Sequence, residues 1–284
     1  LCSQNKKDAE EYGDLELITD DFDKILEASD ALYIASHPTL HYKQIKKALK
    51  NGKHVICESP VALSGEECDE LYEIAGKSGL ILMDAIKTAY STAYARMLLL
   101  IESGAIGKVV SVDATCTSLR VNENGDPDYY KTNWNSSCDW GPNAILPVFQ
   151  LLGTKYKDIR IISSFADEDK DYDLFSKFDF TYDSAVATVK VGKGVKSEGE
   201  LVVSGTKGYV YVPAPWWKTD YFEIRYENPA DKKRYFYQLN GEGIRYEIVA
   251  FIKAIESGRV IDMIPREVSR AICEVVSSKN RIEI

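Results

Sequence analysis

The sequence predicts a two-domain α/β protein, a parallel sheet built from strand–helix repeats followed by an α+β domain around a large open antiparallel sheet. Between residues 15 and 86, short β-like runs alternate with helical ones, which is the texture of βαβ units. From residue 109 to 239, strand-like runs succeed one another without helices between them, the texture of an antiparallel sheet. The length, 284 residues with 45% hydrophobic and 11% aromatic side chains, is enough for two cores.

In chain order, the first half reads as strand Leu15–Ile18, helix Asp21–Ala28, strand Ala31–Ser36, helix Leu40–Asn51, strand His54–Cys57, helix Ser64–Ser78 and strand Leu80–Ala85. Turn chemistry supports these bounds. Ser64 with Glu67 forms a capping box, and Gly52 and Gly79 stand where helices must stop. A helix near Ala93–Ser103 leads into the alternating runs Val109–Thr117, Asp158–Phe165, Phe178–Tyr182, Ala185–Val191, Glu200–Val203, Tyr209–Val212, Tyr221–Tyr226 and Arg234–Leu239. Helices at Gly243–Ser257 and Pro265–Ser278 close the chain. The polar, aromatic stretch 120–137 reads as a loop near a site, and the domain boundary falls between residues 88 and 89.

The charge balance, 35 basic against 44 acidic residues, leaves net −9, with the acids in short runs such as 8–11 and 167–173. No basic stretch interleaved with aromatics offers a nucleic-acid surface. No apolar run approaches the ~20 residues of a membrane span. The six cysteines are scattered without CxxC spacing, which fits reduced core residues of a cytoplasmic protein and neither a zinc knuckle nor a redox pair.

The string Asp30-Ala-Leu-Tyr-Ile-Ala-Ser-His-Pro-Thr-Leu-His41, followed by Ala48-Leu-Lys-Asn-Gly-Lys-His-Val-Ile-Cys-Glu-Ser-Pro60, resembles the most characteristic segment of the glucose–fructose oxidoreductase / inositol dehydrogenase (Gfo/Idh/MocA) family. The likeness continues in order through Leu82–Ile86, Ile101–Val109, Gly205-Thr-Lys-Gly208 and Tyr246–Gly258, while Pro213-Ala-Pro-Trp-Trp217 is similar to a stretch of the dihydrodiol dehydrogenase branch. The resemblance implies a Rossmann-type domain for NAD or NADP and a C-terminal domain that closes over the nicotinamide and makes homodimers or larger homo-oligomers. It further implies a sugar, cyclitol or related secondary alcohol as substrate. In the family the Rossmann domain opens with a strand and a glycine-rich turn. Leu1-Cys2-Ser3 reads as the end of the second strand, so roughly 30 residues, one βαβ opening, are expected upstream. The pairs Gly192–Gly194 and Gly241–Gly243 are not expected to replace that turn.

By the same resemblance Ser3, Ser36, His37, His41 and Glu58 lie along the cofactor. The family's catalytic lysine of Glu-Lys-Pro is Ser59 here, which has a hydrogen bond to give but no charge. The His or Tyr that exchanges a proton with the alcohol is Asn143, in Asp139-Trp-Gly-Pro-Asn143, and an amide is neither acid nor base near neutrality. Lys87, at the end of a strand that faces the ligand crevice, is a candidate substitute cation beside its plainer reading as a surface lysine. His37 and His41 have i, i+4 spacing but no third ligand nearby, so no metal is expected. His54 and Cys57 read as structural residues, and Pro213–Trp217 as the cap of a sheet edge, with contact to a sugar ring as the alternative. Two functions stay open: an NAD(P)-dependent oxidoreductase, or a catalytically degenerate relative that binds a ligand or a partner.

Overall fold

The computed structural model of the chain describes residues 1–3, 13–120, 122, 129–166, 168–259 and 263–284. The acidic run 8–11, and part of the 120–137 and 167–173 stretches, lie outside the described residues.

The first layer is a three-stranded parallel sheet. Helix α1 (Phe22–Ala28) leads to β1 (Ala31–Ile34), α2 (Pro38–Lys50), β2 (His54–Glu58), α3 (Gly65–Ser78) and β3 (Leu82–Ala85), with strand order β1-β2-β3. Apolar side chains repeat on the inner faces of the helices, so Ile45, Ala48 and Leu49 of α2 and Cys68, Leu71 and Ala75 of α3 pack with Val55 and Cys57 of β2. The caps are those read from the sequence: Ser64 Oγ accepts from Glu67 N at 3.1 Å, and Gly79 ends α3 at φ +65°. The expected strand Leu15–Ile18 does not form. Residues 13–16 are exposed, and the segment meets the N-terminal residues through Leu1 N donating to Leu17 O at 2.6 Å and an isolated parallel bridge between Cys2 and Thr19.

A 3₁₀ turn (Lys87–Tyr90) and α4 (Thr92–Glu102) cross to the second layer. That layer comprises β4 (Val109–Thr117), α5 (Tyr129–Thr132), α6 (Ser136–Leu152), β5 (Asp158–Phe165), β6 (Asp173–Thr181), β7 (Val186–Gly192), β8 (Leu201–Gly205), β9 (Tyr209–Val212), β10 (Tyr221–Arg225), β11 (Lys233–Phe236), α7 (Ile244–Ser257), α8 (Arg266–Val276) and β12 (Ile282–Glu283). The nine strands form one sheet in the order β11-β10-β9-β8-β4-β7-β6-β5-β12. Most pairs are antiparallel as expected, but β4 pairs β7 and β5 pairs β12 in parallel, so the sheet is mixed. Helix α6 lies along β4, β6 and β7, and its Ala144, Ile145, Leu146, Val148 and Phe149 are buried in the large core. Helix α8 packs on both α3 and α6, and Arg266 and Arg270 grip Asp69 of α3 at 2.7 and 2.8 Å, so the last helix ties the two layers together.

Candidate active site

Parallel pairing brings the first two site positions to one edge. Glu58 at the end of β2 is in register with Ala85 at the end of β3, so Ser59 and Lys87 emerge side by side at the carboxyl ends of the strands, where open α/β sheets receive ligands. The other wall comes from the second layer in the same way. Thr117 and Gly192 end the parallel pair β4–β7, which places Ser118 next to Lys193. Asp139, Trp140 and Asn143 fall on one face of α6 at helical spacing, and a 3₁₀ turn (Trp216–Lys218) adds Trp217 and Lys218. Together with Arg120, Lys196 and Glu242, these residues line a cleft of about 680 Å³ between the layers.

Four of the residues singled out in the sequence, Glu58, Ser59, Lys87 and Asn143, meet in this cleft. Ser59 is buried, close enough to the Asp84 carboxyl to favour its charge, yet neither Ser59 Oγ nor Asp84 Oδ1 makes a hydrogen bond of good geometry. Burial, opposed by Ser269 and Ser59, pushes Asp84 up to about 6. Asn143 Oδ1 lies 3.1 Å from Thr88 Oγ1, which is itself 3.0 Å from Trp217 O, so the amide NH₂ is left as a donor toward the cleft. Burial raises the pKa of Glu58, and the Tyr33 hydroxyl and Lys87 oppose that rise.

The remaining positions are placed elsewhere. His41 is buried with Nδ1 2.8 Å from Pro60 O and Nε2 2.7 Å from Ser36 O, so it braces the loop after β1 against the loop after β2. Burial lowers its pKa. His37 is the residue that caps α2, and it lines a second recess of about 900 Å³ that shares Asn133 and Trp134 with the cleft. Ser36 donates to Gln44 Oε1 at 2.5 Å, and the backbone N–H of Ser3 donates to Thr19 O at 2.9 Å, neither of them in the cleft. His54 Nδ1 accepts from Ile81 N at 3.0 Å, a bond that steadies the β2–β3 edge.

Several cleft residues escaped the sequence reading. Lys193 is nearly buried, its side chain 3% exposed, with Nζ 2.6 Å from Trp134 O and 3.0 Å from Asp139 Oδ2. Its signal was a lysine between two glycines at a strand end, legible as a site only once β7 is known to lie parallel to β4. Trp217 packs against Trp140 with ring centroids 4.9 Å apart and planes inclined at 56°, whereas Trp216 is fully buried and donates to Thr115 O. The Pro213–Trp217 stretch thus caps the sheet and also reaches the cleft.

Residues 1–85 match the family model GFO_IDH_MocA, described as an oxidoreductase family with an NAD-binding Rossmann fold. Over those residues the chain belongs to this family. Among curated Gfo/Idh/MocA relatives it is 43% identical over 61 residues to scyllo-inositol 2-dehydrogenase (NADP(+)) IolU of Bacillus subtilis, 22% of this chain and 19% of that protein. It is 29% identical over 112 residues to trans-1,2-dihydrobenzene-1,2-diol dehydrogenase of Xenopus tropicalis, 39% of this chain and 32% of that protein. The matched stretches therefore span less than half the length of these relatives. Among solved structures the fold matches KijD10, a 3-ketoreductase from Actinomadura kijaniata in complex with NADP and TDP-benzene. That match has a TM-score of 0.83 at 19% identity and covers 98% of this chain and 86% of the other. Levoglucosan dehydrogenase in complex with NADH and levoglucosan matches at TM-score 0.81 and 19% identity, over 95% and 82% of the two chains. The fold shared with these two structures thus extends over both layers.

Within that fold the described residues suit the nicotinamide end of a dinucleotide. The carboxyl ends of β2 and β3 open onto the cleft, and the buried Ser59 hydroxyl that lines it makes no hydrogen bond of good geometry within the protein. Of the two Gly-x-Gly pairs, one lies at the end of β7 and the other before α7, where Gly243 comes close to Lys87.

Proposed function

We propose that this chain is an NAD(P)-dependent oxidoreductase-type protein whose interlayer cleft takes a sugar-like secondary alcohol or the corresponding ketone. The observation that carries this reading is the meeting of Glu58, Ser59, Lys87 and Asn143 with Trp140 and Trp217 in one cleft at the strand carboxyl ends. A tryptophan pair offers an apolar face to the C–H side of a sugar ring, and the polar rim offers donors to its hydroxyls. When bound, the nicotinamide supplies or accepts the hydride. The chain's own residues then bind and orient: Asn143 and Ser59 donate hydrogen bonds, and Asp139 and Lys193 fix the far wall.

A specific observation supports the second reading, a relative that binds without efficient turnover. Ser59 and Asn143 occupy the positions of the family's lysine and its proton-exchanging His or Tyr, and neither side chain exchanges a proton near neutrality. Slow turnover with retained binding is the expected compromise. The open face of the nine-stranded sheet, where Arg225 lies 4.3 Å over the Tyr211 ring, is the proposed homodimer surface. Six free cysteines, five of them buried, support a cytoplasmic setting, and no helix among the described residues is long and apolar enough to cross a membrane.

A panel of sugars, cyclitols and their ketones, assayed for nicotinamide oxidation or reduction and in parallel for binding through tryptophan fluorescence, tests both readings. Binding with slow turnover is expected. No fluorescence response from any member, with none restored at high ligand concentration, overturns the assignment of the cleft.

A further inference from the structure

The cleft's charge runs against that of the chain. Overall the acids outnumber the bases, 44 to 35, yet the cleft is lined by five basic side chains, Lys87, Arg120, Lys193, Lys196 and Lys218, against the three acids Glu58, Asp139 and Glu242. The pairing within it is incomplete. Asp139 Oδ2 is shared by Lys193 Nζ at 3.0 Å and Arg120 Nη1 at 3.6 Å. Glu242 Oε2 is shared in the same way by Lys218 at 2.5 Å and Lys87 at 3.6 Å. Lys196 Nζ reaches the Thr117 carbonyl at 3.4 Å, and no carboxylate is within ion-pair distance of it among the described residues. The third acid, Glu58, is held by the Tyr33 hydroxyl at 2.6 Å and feels the charge of Lys87 without an ion pair to it.

Two carboxylates thus serve four cations, with a fifth at the rim. Lysine Nζ has three protons to donate and arginine five, so this wall presents donors that the protein itself does not use up. Excess positive charge in a part-buried cleft is unfavourable until an anion enters, and it draws anions in from solution. Beside these cations the Trp140 and Trp217 rings supply the face for a pyranose.

We propose that the natural ligand of this cleft is an anionic sugar, a monosaccharide whose ring packs on Trp140 and Trp217 while its carboxylate or phosphate is held by Lys193, Arg120 and Lys196. This deepens the sugar-binding reading above and rests on it. The neutral polyol is the alternative that the charge count disfavours, because hydroxyl groups leave the excess cations uncompensated.

The test is calorimetry on the intact chain with three probes, glucose, glucuronate and glucose 6-phosphate, at low and high salt. At least one anion should bind about tenfold or more tighter than glucose, a difference of about 1.4 kcal/mol, and that advantage should shrink as salt screens it. Glucuronate as the tighter anion marks a sugar acid, and glucose 6-phosphate a sugar phosphate. Lys193→Gln should erase most of the advantage. Lys196→Ala, an exposed change that cannot unfold the protein, should reduce it severalfold. Glucose binding as tightly as both anions, or an anion preference untouched by salt and by Lys196→Ala, overturns the proposal while leaving sugar binding in place. Silence from all three probes overturns the sugar-binding reading and this proposal together.

Discussion

The Tyr33 hydroxyl stands between two carboxyl groups, 2.6 Å from Glu58 Oε1 and 3.0 Å from Glu247 Oε1, and so joins the parallel sheet to α7. A phenol has one proton to give, so the second contact is complete only when a carboxyl holds a proton of its own. Glu247 is that group: burial, and then the charge of Glu58, push its pKa up to about 8.

A pH dependence follows. An acid whose pKa rises on folding stabilises the folded state fully below its unfolded value, and that contribution is lost as pH climbs through the folded value, here about 8. Glu247→Gln keeps the shape and a carbonyl for Tyr33 but carries no charge at any pH. Relative to wild type, the variant should therefore gain stability steadily between about pH 5 and about pH 8, by on the order of 3 kcal/mol. Urea denaturation of both proteins across that range measures the difference. A difference that does not change with pH would show that Glu247 is ionised in the folded protein.

Asp173 anchors the start of α6, the helix that carries Asp139 and Asn143. It accepts from Ser137 N at 3.1 Å, Ser137 Oγ at 2.9 Å and Ser176 Oγ at 2.7 Å, and Arg281 Nη1 lies 3.7 Å away; Asp173 and both serines are fully buried, and Arg281 is nearly so. Breaking one side of such a network strands the other. Asp173→Ala should lower stability by about 3–5 kcal/mol, and Arg281→Met on that background should recover part of the loss because it removes the uncompensated cation. Chemical denaturation of the single and double variants decides it. A loss under 1 kcal/mol for Asp173→Ala would mean that the network is no more than a surface arrangement.

The parallel layer was legible in the sequence because its signals are local. Capping residues such as Ser64 and Gly79 lie within a few residues of the ends they set, and apolar spacing in α2 and α3 marks one face each. Helix α6 was not, because it is buried nearly all round and contains Pro142 and Pro147, so it shows neither amphipathic periodicity nor an uninterrupted run. Leu15–Ile18 misled in the opposite sense: it has strand composition, yet Leu15 and Glu16 stay exposed and the segment makes no more than isolated contacts with Leu1 and Cys2 among the described residues. In the cleft, Ser59 and Asn143 stood out through a family pattern and Arg120 through the polar, aromatic stretch it opens, whereas Lys193 owes its place to the pairing of β4 with β7, strands about 70 residues apart, which no local signal records.

Gly205 ends β8 where the chain passes the turn after α4. A methyl group there would sit 2.2 Å from the Ile106 carbonyl oxygen, and backbone cannot yield as a side chain can. Gly205→Ala should therefore destabilise by about 1–3 kcal/mol or more, despite the entropy that a strand alanine saves relative to glycine. Thermal melts give the answer, and an unchanged or raised midpoint would place Ile106 further from β8 than it lies here.

The last prediction concerns chemistry. On the proposed reading Ser59 and Asn143 take the positions where a cation and a proton-exchanging ring would act, and each general acid–base group contributes about 10²- to 10⁴-fold. The lysine of Ser59→Lys would enter beside Asp84, whose Oδ1 has no hydrogen bond of good geometry, so the buried ammonium finds a carboxylate to balance it. Ser59→Lys combined with Asn143→His should then raise turnover of a bound sugar from near background by at least about 100-fold. Lys87→Ala should leave wild-type behaviour and stability nearly unchanged, since Lys218 holds the shared Glu242 at 2.5 Å, closer than Lys87 at 3.6 Å. If Lys87 instead stands in for the family's lysine, wild type is already active and Lys87→Ala abolishes that activity. The two cases differ in sign at one residue. Wild-type turnover at the rate of ordinary family enzymes, indifferent to Lys87→Ala, to Ser59→Ala and to Asn143→Ala, would remove the chemistry from this cleft altogether.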